Sequence, residues 1–144
     1  MEYEIINNID KQYNFKEDTI DNIITSISKK ENKKFNSLNI IISNDSHLNH
    51  LKKEYFNKDH FTDIITFNLE DKGHPIEGEI YISMDRIEEN SNDFGNSFES
   101  EFKRIFIHGL LHLFGYNDQT IDEKKNMTKL EDYYLNKYKA KIIS

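Results

Sequence analysis

The sequence predicts an α+β fold, in which β-strands pack against helices. Two observations support this fold class. Short apolar runs rich in β-branched residues dominate the chain before residue 85, and helical periodicity dominates after it. Strands first and helices later indicate an α+β or mixed α/β layer, and not a regularly repeating β-α-β pattern.

The N-terminal third contains two candidate strands and one helix. Residues 2–7 can form a first edge strand, and residues 17–30 place four isoleucines at helical spacing. The nearly continuous apolar run LNIIIS, residues 38–43, predicts a buried strand.

The middle of the chain predicts a helix followed by a hairpin. Residues 45–55 form a short helix with Asp45 or Ser46 as its N-cap. Residues 62–69 and 79–83 are strand-like on either side of a turn-rich segment, so we expect these two strands to pair.

The rest of the chain is predicted to be helical. A short helix over residues 85–90 and a loop over residues 92–96 precede a longer helix, which Ser97 caps and which ends near Phe114. Apolar residues lie nearly all round this longer helix, which indicates a central, buried element. A final amphipathic helix begins at Thr120, with a glutamate three residues later as its capping-box partner.

Composition limits the classes of function. The 144 residues predict one domain spanning residues 1–144. The absence of cysteine excludes disulfides, thiolate ligands and a cysteine nucleophile, and it fits a reducing cytoplasm. We expect no membrane association, because no signal-peptide pattern and no membrane-spanning apolar run is visible. A net charge of −7 argues against general electrostatic capture of nucleic acid, and we expect no DNA partner.

The segment HGLLHLFGYND, residues 108–118, is the strongest functional signal. His108 and His112 are four residues apart on a predicted helix, so both imidazoles lie on one face and can bind one metal ion. Gly115 stands where helices commonly end, and the chain can then reverse to bring Asp118 back as a third ligand. Three protein ligands with an open position are typical of catalytic zinc sites, which predicts one Zn²⁺ per chain.

Alternative interpretations of this segment remain. A His-x-x-x-His pair can arise by chance in a chain with six histidines, so the pair could instead be hydrogen-bonded core residues. Nickel and other first-row ions also accept these ligands. A zinc protease is a poorer match, because Gly109 replaces the glutamate base of the His-Glu-x-x-His motif.

The same segment resembles the signature of the YbeY family, bacterial endoribonucleases of ribosomal RNA maturation. That signature reads H-G-x-L-H-L-x-G-Y-D-H, and only Asn117 and Asp118 depart from it. Upstream, YFNKDHFTDIITF at residues 55–67 resembles the family block Y-R-x-x-D-x-x-T-D-V-L-S-F. The segment EGEI resembles the family's L-G-D-I strand, and Met127 with Glu131 matches its M-x-x-x-E pair.

This resemblance implies a function and a set of partners. It implies a zinc-dependent, single-strand-specific endoribonuclease of ribosomal RNA maturation and ribosome quality control. Single-stranded RNA, ribosomal RNA and the small ribosomal subunit are the implied partners, and the cytoplasm is the implied location. The implied fold is a small mixed β-sheet packed against helices, with a zincin-like metal-binding helix in a cleft.

Two departures from the family pattern affect the site. Asp118 replaces a histidine, but aspartate also binds zinc, so we expect metal binding to be retained. Phe56 replaces an arginine proposed to be catalytic, and phenylalanine cannot clamp a phosphate. Arg104 lies four residues before His108 on the ligand face, so we predict that it supplies the missing guanidinium as a catalytic residue. Alternatively, Arg104 supports the site by pairing with a carboxylate such as Glu101.

Thr62 and Asp63 also match the family block. They either hold a ligand histidine through a hydrogen bond, as is common at zinc sites, or cap a local turn.

Two other functions remain open. One is a ribosome-associated assembly factor with a structural metal and little nuclease activity, which the missing arginine and the acidic charge favour. The other is a metallohydrolase acting on a peptide or a small molecule, although Gly109 argues against a peptidase.

Overall fold

The computed structural model describes residues 2–144, within which four strands and five helices form. The strands are β1 (Glu2–Asn7), β2 (Phe35–Ser43), β3 (Ile64–Asn68) and β4 (Ile76–Ser83). The helices are α1 (Glu17–Glu31), α2 (Asp45–Phe56), α3 (Met84–Phe94), α4 (Phe98–Leu113) and α5 (Ile121–Lys137). The predicted α+β fold class is confirmed.

The strands form one mixed sheet in the order β1-β2-β4-β3. The first three strands in that order run parallel, and β3 runs antiparallel to β4. The predicted hairpin is confirmed, with Ile64 opposite Ile82 and Phe67 opposite Glu79. β3 is therefore an edge strand of the sheet, and β1 is the other edge.

Apolar side chains cover both faces of the sheet. The larger core lies between the sheet and helices α1 and α4, where Ile27, Ile80 and Leu110 are fully buried. A smaller cluster on the opposite face joins Leu48 of α2 to Ile65 of β3. Burial of these side chains supplies the main driving force for packing the layers. α4 is the central, buried helix that the sequence predicts.

Two strands begin earlier than the sequence predicts. β2 begins at Phe35 instead of Leu38, and β4 begins at Ile76 instead of Glu79. The two strands are parallel neighbours, and Phe35 pairs with Ile76. The added residues therefore pair with each other across the ladder, which a local apolar pattern does not reveal.

Two helix boundaries also differ from the prediction. α3 continues through Phe94, past the predicted loop at residues 92–96, and ends at Gly95 with a φ of +70°. α2 is capped by Asn44, whose side chain accepts a hydrogen bond from the third residue of the helix, so the predicted caps Asp45 and Ser46 are wrong.

The predicted caps of the two helices that form the site are confirmed. The Ser97 side chain accepts a hydrogen bond from the Ser100 N–H at the start of α4. Thr120 and Glu123 form a reciprocal capping box at the start of α5. No helix within residues 2–144 is both long enough and apolar enough to cross a membrane.

Candidate metal centre

The predicted pair of histidines lies in the last turns of α4. Ile107, Leu110 and Leu111 beside them are fully buried and hold the helix firmly against the sheet. His108 and His112 are half-buried, and their Nε2 atoms lie 2.9 Å apart. The spacing of four residues therefore brings both imidazoles to one point, as predicted.

The chain reversal after α4 brings Asp118 to the same point. Gly115 has a φ of +102°, which glycine adopts most easily, and its N–H donates to the carbonyl of His112 at 2.9 Å. Tyr116 fixes the reversal, because its hydroxyl donates to Glu31 of α1 at 2.7 Å. The Oδ2 atom of Asp118 lies 3.3 Å from the Nε2 atom of each histidine.

Hydrogen bonds on the far side of each imidazole determine which nitrogen is available. The Nδ1 of His108 lies 2.7 Å from Oε2 of Glu131. The Nδ1 of His112 lies 2.9 Å from the carbonyl oxygen of Tyr116. Carbonyl and carboxylate oxygens accept hydrogen bonds, so each Nδ1 donates its proton, and Nε2 is the nitrogen that can offer a lone pair to a metal.

These three donor atoms suit a divalent cation. Two lone pairs and one carboxylate oxygen face each other, and a cation would relieve their mutual repulsion. The three atoms lie within 4.8 Å of one another, close enough to share one ion at zinc–ligand distances of about 2.0–2.2 Å.

Glu131 contacts a predicted metal ligand, although the sequence patterns match it only to the family's M-x-x-x-E pair and give it no role. Its side chain is buried, with Oε2 at His108 and Oε1 accepting a hydrogen bond from Nη1 of Arg104 at 2.8 Å. Burial lowers the pKa of His108, but the hydrogen bond and charge of Glu131, together with the charges of Asp118 and Asp63, raise the pKa overall. In addition to the M-x-x-x-E match, the sequence places Glu131 one helical turn after Met127 on the apolar stripe of α5, where a carboxylate is rarely buried without a partner.

Arg104 lies one turn before His108 on α4. Its guanidinium donates to Glu131 and, through Nη2, to Asp132 at 2.7 Å, so it pairs with these two carboxylates of α5 and not with Glu101. Arg104 therefore reaches the ligand histidine through Glu131. A direct contact between Arg104 and a phosphate stays a prediction.

Thr62 and Asp63 lie immediately before β3, which begins two residues later than predicted, and they line the pocket around the ligands. The Thr62 hydroxyl donates to the Ile64 carbonyl at 3.2 Å, and the Asp63 carboxylate accepts from Asn90 at 3.4 Å. Other groups occupy both Nδ1 atoms, so the first alternative, a hydrogen bond from these residues to a ligand histidine, does not form within the described chain. The local contacts of Thr62 and Asp63 with the backbone at Ile64 fit the second alternative, a turn cap. Burial raises the pKa of Asp63.

The ligands open into a pocket of about 290 Å³ at the edge of the sheet. α4, β3 and the turn carrying Asp118 form part of its wall. Lys52 and Phe56, from the C-terminal half of α2, complete the wall. Phe56 therefore lies at the rim of the pocket, in the position that the family resemblance associates with an arginine.

Gly109 allows α4 to approach β3 closely. A Cβ atom at this position would lie 2.5 Å from Cδ1 of the buried Ile64. A glutamate side chain here would have to displace the sheet side chains, so this helix face cannot carry the base of the zinc-protease motif without rearrangement.

Comparisons with known proteins agree with the resemblance seen in the sequence. The family model described as Endoribonuclease YbeY matches residues 5–139. An Endoribonuclease YbeY from Karelsulcia muelleri is 44% identical over 118 residues, which cover 81% of this chain and 82% of the relative. The protein of the same name from Flavobacterium psychrophilum is 38% identical over 120 residues, covering 83% and 85% of the two chains.

One solved structure is similar over nearly the whole chain. The solution structure of TM1509 from Thermotoga maritima has a TM-score of 0.60, with 24% sequence identity. The match covers 95% of this chain and 91% of that protein. At this level of identity the similarity concerns the fold alone.

Proposed function

The chain belongs to the YbeY family, and we propose that it is a metal-dependent endoribonuclease that cleaves single-stranded RNA. We place this activity in ribosomal RNA maturation and ribosome quality control in the cytoplasm, with the small ribosomal subunit as a partner. The observation that carries the proposal is the meeting of His108, His112 and Asp118 in an open pocket.

We propose that these three residues hold one Zn²⁺ through two Nε2 atoms and one carboxylate oxygen. Two imidazoles and a carboxylate are ordinary zinc ligands, and the open side of the pocket leaves room for a phosphate. When bound, the ion would polarise a phosphoryl oxygen and lower the pKa of water for hydrolysis.

The surrounding residues orient the ligands and attract the substrate. Glu131 and the Tyr116 carbonyl keep both imidazoles in the tautomer that leaves Nε2 free. Lys52 adds a positive charge to the pocket wall, where an RNA phosphate would enter. We propose Arg104 as the catalytic residue that replaces the arginine missing at Phe56.

An assembly factor with a structural metal is the second candidate function. Two observations favour it: Phe56 takes the place of an arginine, and the Arg104 guanidinium is already paired with Glu131 and Asp132. The net charge of −7 also limits RNA affinity.

Elemental analysis tests the metal site directly. Wild-type protein, purified without added metal or a histidine tag, should contain about one zinc per chain. His112→Ala should contain little zinc, and the exposed His74→Ala is the matched control that should keep it. No zinc in the wild type, even after zinc is added and the excess removed, would contradict the metal site.

Cleavage assays then distinguish the two functions. The proposed nuclease should cut a single-stranded RNA and spare the same sequence in a perfect duplex. A zinc-containing protein that cuts neither RNA but sediments with ribosomal subunits would instead support the assembly factor.

A further inference from the structure

Three aromatic side chains form an exposed cluster beside the candidate metal centre. Tyr55 and Phe56, at the C-terminal end of α2, are 61% and 42% exposed. Their ring centroids lie 5.4 Å and 5.9 Å from that of Phe67 in β3. We call these three residues the aromatic platform. Large apolar side chains exposed together in a patch are typical of binding surfaces.

Phe67 holds the aromatic platform in place. Its ring packs edge-on against Tyr81 of β4, with centroids 5.8 Å apart and planes at 90°. Phe56 lies over Phe67 with an angle of 27° between the rings, and Tyr55 meets it at 72°. Because the sheet and α2 already position the rings, a ligand stacking on them would cost little conformational entropy.

The aromatic platform is continuous with the metal-site pocket. Phe56 lines that pocket together with His108 and Asp118, and so does Lys52, one turn earlier in α2. The Nζ atom of Lys52 lies 4.8 Å from the centre of the Phe56 ring. An RNA strand with a phosphate near the metal ligands would therefore meet a cation and then exposed aromatic rings.

We propose, on the basis of the RNA-cleaving function above, that the aromatic platform stacks unpaired bases of the substrate beside the scissile phosphate. An acidic chain gains only part of its RNA affinity from phosphate neutralisation. Stacking on aromatic rings adds affinity that is independent of charge and tolerant of sequence. Only unpaired bases can be splayed out onto such rings, so the aromatic platform also favours single strands over duplexes.

Binding measurements with the zinc-loaded protein test this role separately from cleavage. The probe is a short, fluorescent 2′-O-methyl oligoadenylate, verified as intact after each titration, and the reference is an abasic strand of equal length and charge. The variants Tyr55→Leu and Phe56→Leu remove the ring faces but keep apolar bulk against Phe67. Phe94→Leu, at a 67% exposed phenylalanine of α3, is the matched control.

We expect each platform variant to bind oligoadenylate about tenfold more weakly, with the abasic strand bound as by the wild type. Phe94→Leu should bind both strands normally. Wild-type affinity in Phe56→Leu and Tyr55→Leu, or an equal loss for both strands, would overturn the stacking role. If the wild type cleaves RNA but binds both strands equally, the stacking role is wrong and the nuclease function stands. If it neither binds nor cleaves RNA, both proposals are wrong.

Discussion

Replacing Glu131 with glutamine tests how strongly the group behind a ligand histidine controls metal binding. The carboxylate oxygens serve different donors: Oε2 lies 2.7 Å from Nδ1 of His108, and Oε1 lies 2.8 Å from Nη1 of Arg104. A glutamine has one acceptor oxygen, so one of the two donors loses its partner. The side chain is only 8% exposed, so water cannot easily replace the lost bond.

We expect Glu131→Gln to raise the dissociation constant for zinc about tenfold, and Glu131→Ala to raise it towards about a hundredfold. These factors correspond to about 1.4 and 2.7 kcal/mol of binding free energy. We expect the smaller increase in the dissociation constant for glutamine, because its oxygen can still accept the hydrogen bond from Nδ1 of His108. At that contact, only the negative charge is lost. Alanine leaves both donors without their acceptor.

Competition between the protein and a chelating dye, at fixed pH, measures these affinities. Asp132→Asn is the matched control, because Asp132 binds the same guanidinium but contacts neither ligand histidine. Asp132 is 53% exposed, so we expect its replacement to change zinc affinity by less than about twofold. Unchanged affinity in Glu131→Gln, or an equal loss in Asp132→Asn, would refute action through His108.

Three further variants test other parts of the structure. If the guanidinium contacts phosphate, Arg104→Ala should abolish RNA cleavage and keep normal zinc content. Weaker zinc binding would instead identify a positioning residue that acts through Glu131. Cleavage at the wild-type rate would contradict the catalytic role. Tyr134→Phe should raise the free energy of unfolding by about 1 kcal/mol in urea titrations, because the buried hydroxyl has no hydrogen-bond partner within residues 2–144. A loss of stability in this variant would contradict the cost assigned to the unpaired hydroxyl. Burial raises the pKa of Glu101, so its ionisation destabilises the fold as pH rises through that pKa. Glu101→Gln should therefore increase stability near neutral pH but not at strongly acidic pH, and equal effects at both would refute the assignment.

Local sequence patterns were sufficient for the parts of the site that depend on nearby residues. The spacing of His108 and His112 places both rings on one helical face, and Gly115 ends that helix with positive φ. Thr120 then starts α5 with the predicted capping box. The reversal between these helices is short, so the position of Asp118 could also be predicted.

Contacts between distant segments were not predictable from these patterns. Glu131 is 23 residues from His108, and the two meet only because α5 packs against α4. The early start of β2 depends in the same way on the pairing of Phe35 with Ile76. In both cases the decisive partner lies on another element, where neither helical nor strand periodicity provides information.

The aromatic residue at position 56 is consistent with RNA binding when its neighbours are considered. An arginine can both neutralise a phosphate and stack through its planar guanidinium. Here Lys52 supplies a charge to the pocket, and the Phe56 ring, one turn later, supplies a stacking face. Under the proposed stacking role, two side chains of α2 thus divide the interactions that one arginine could make. Neither of these two side chains supplies a guanidinium, so the proposed catalytic role stays with Arg104, which pairs with Glu131.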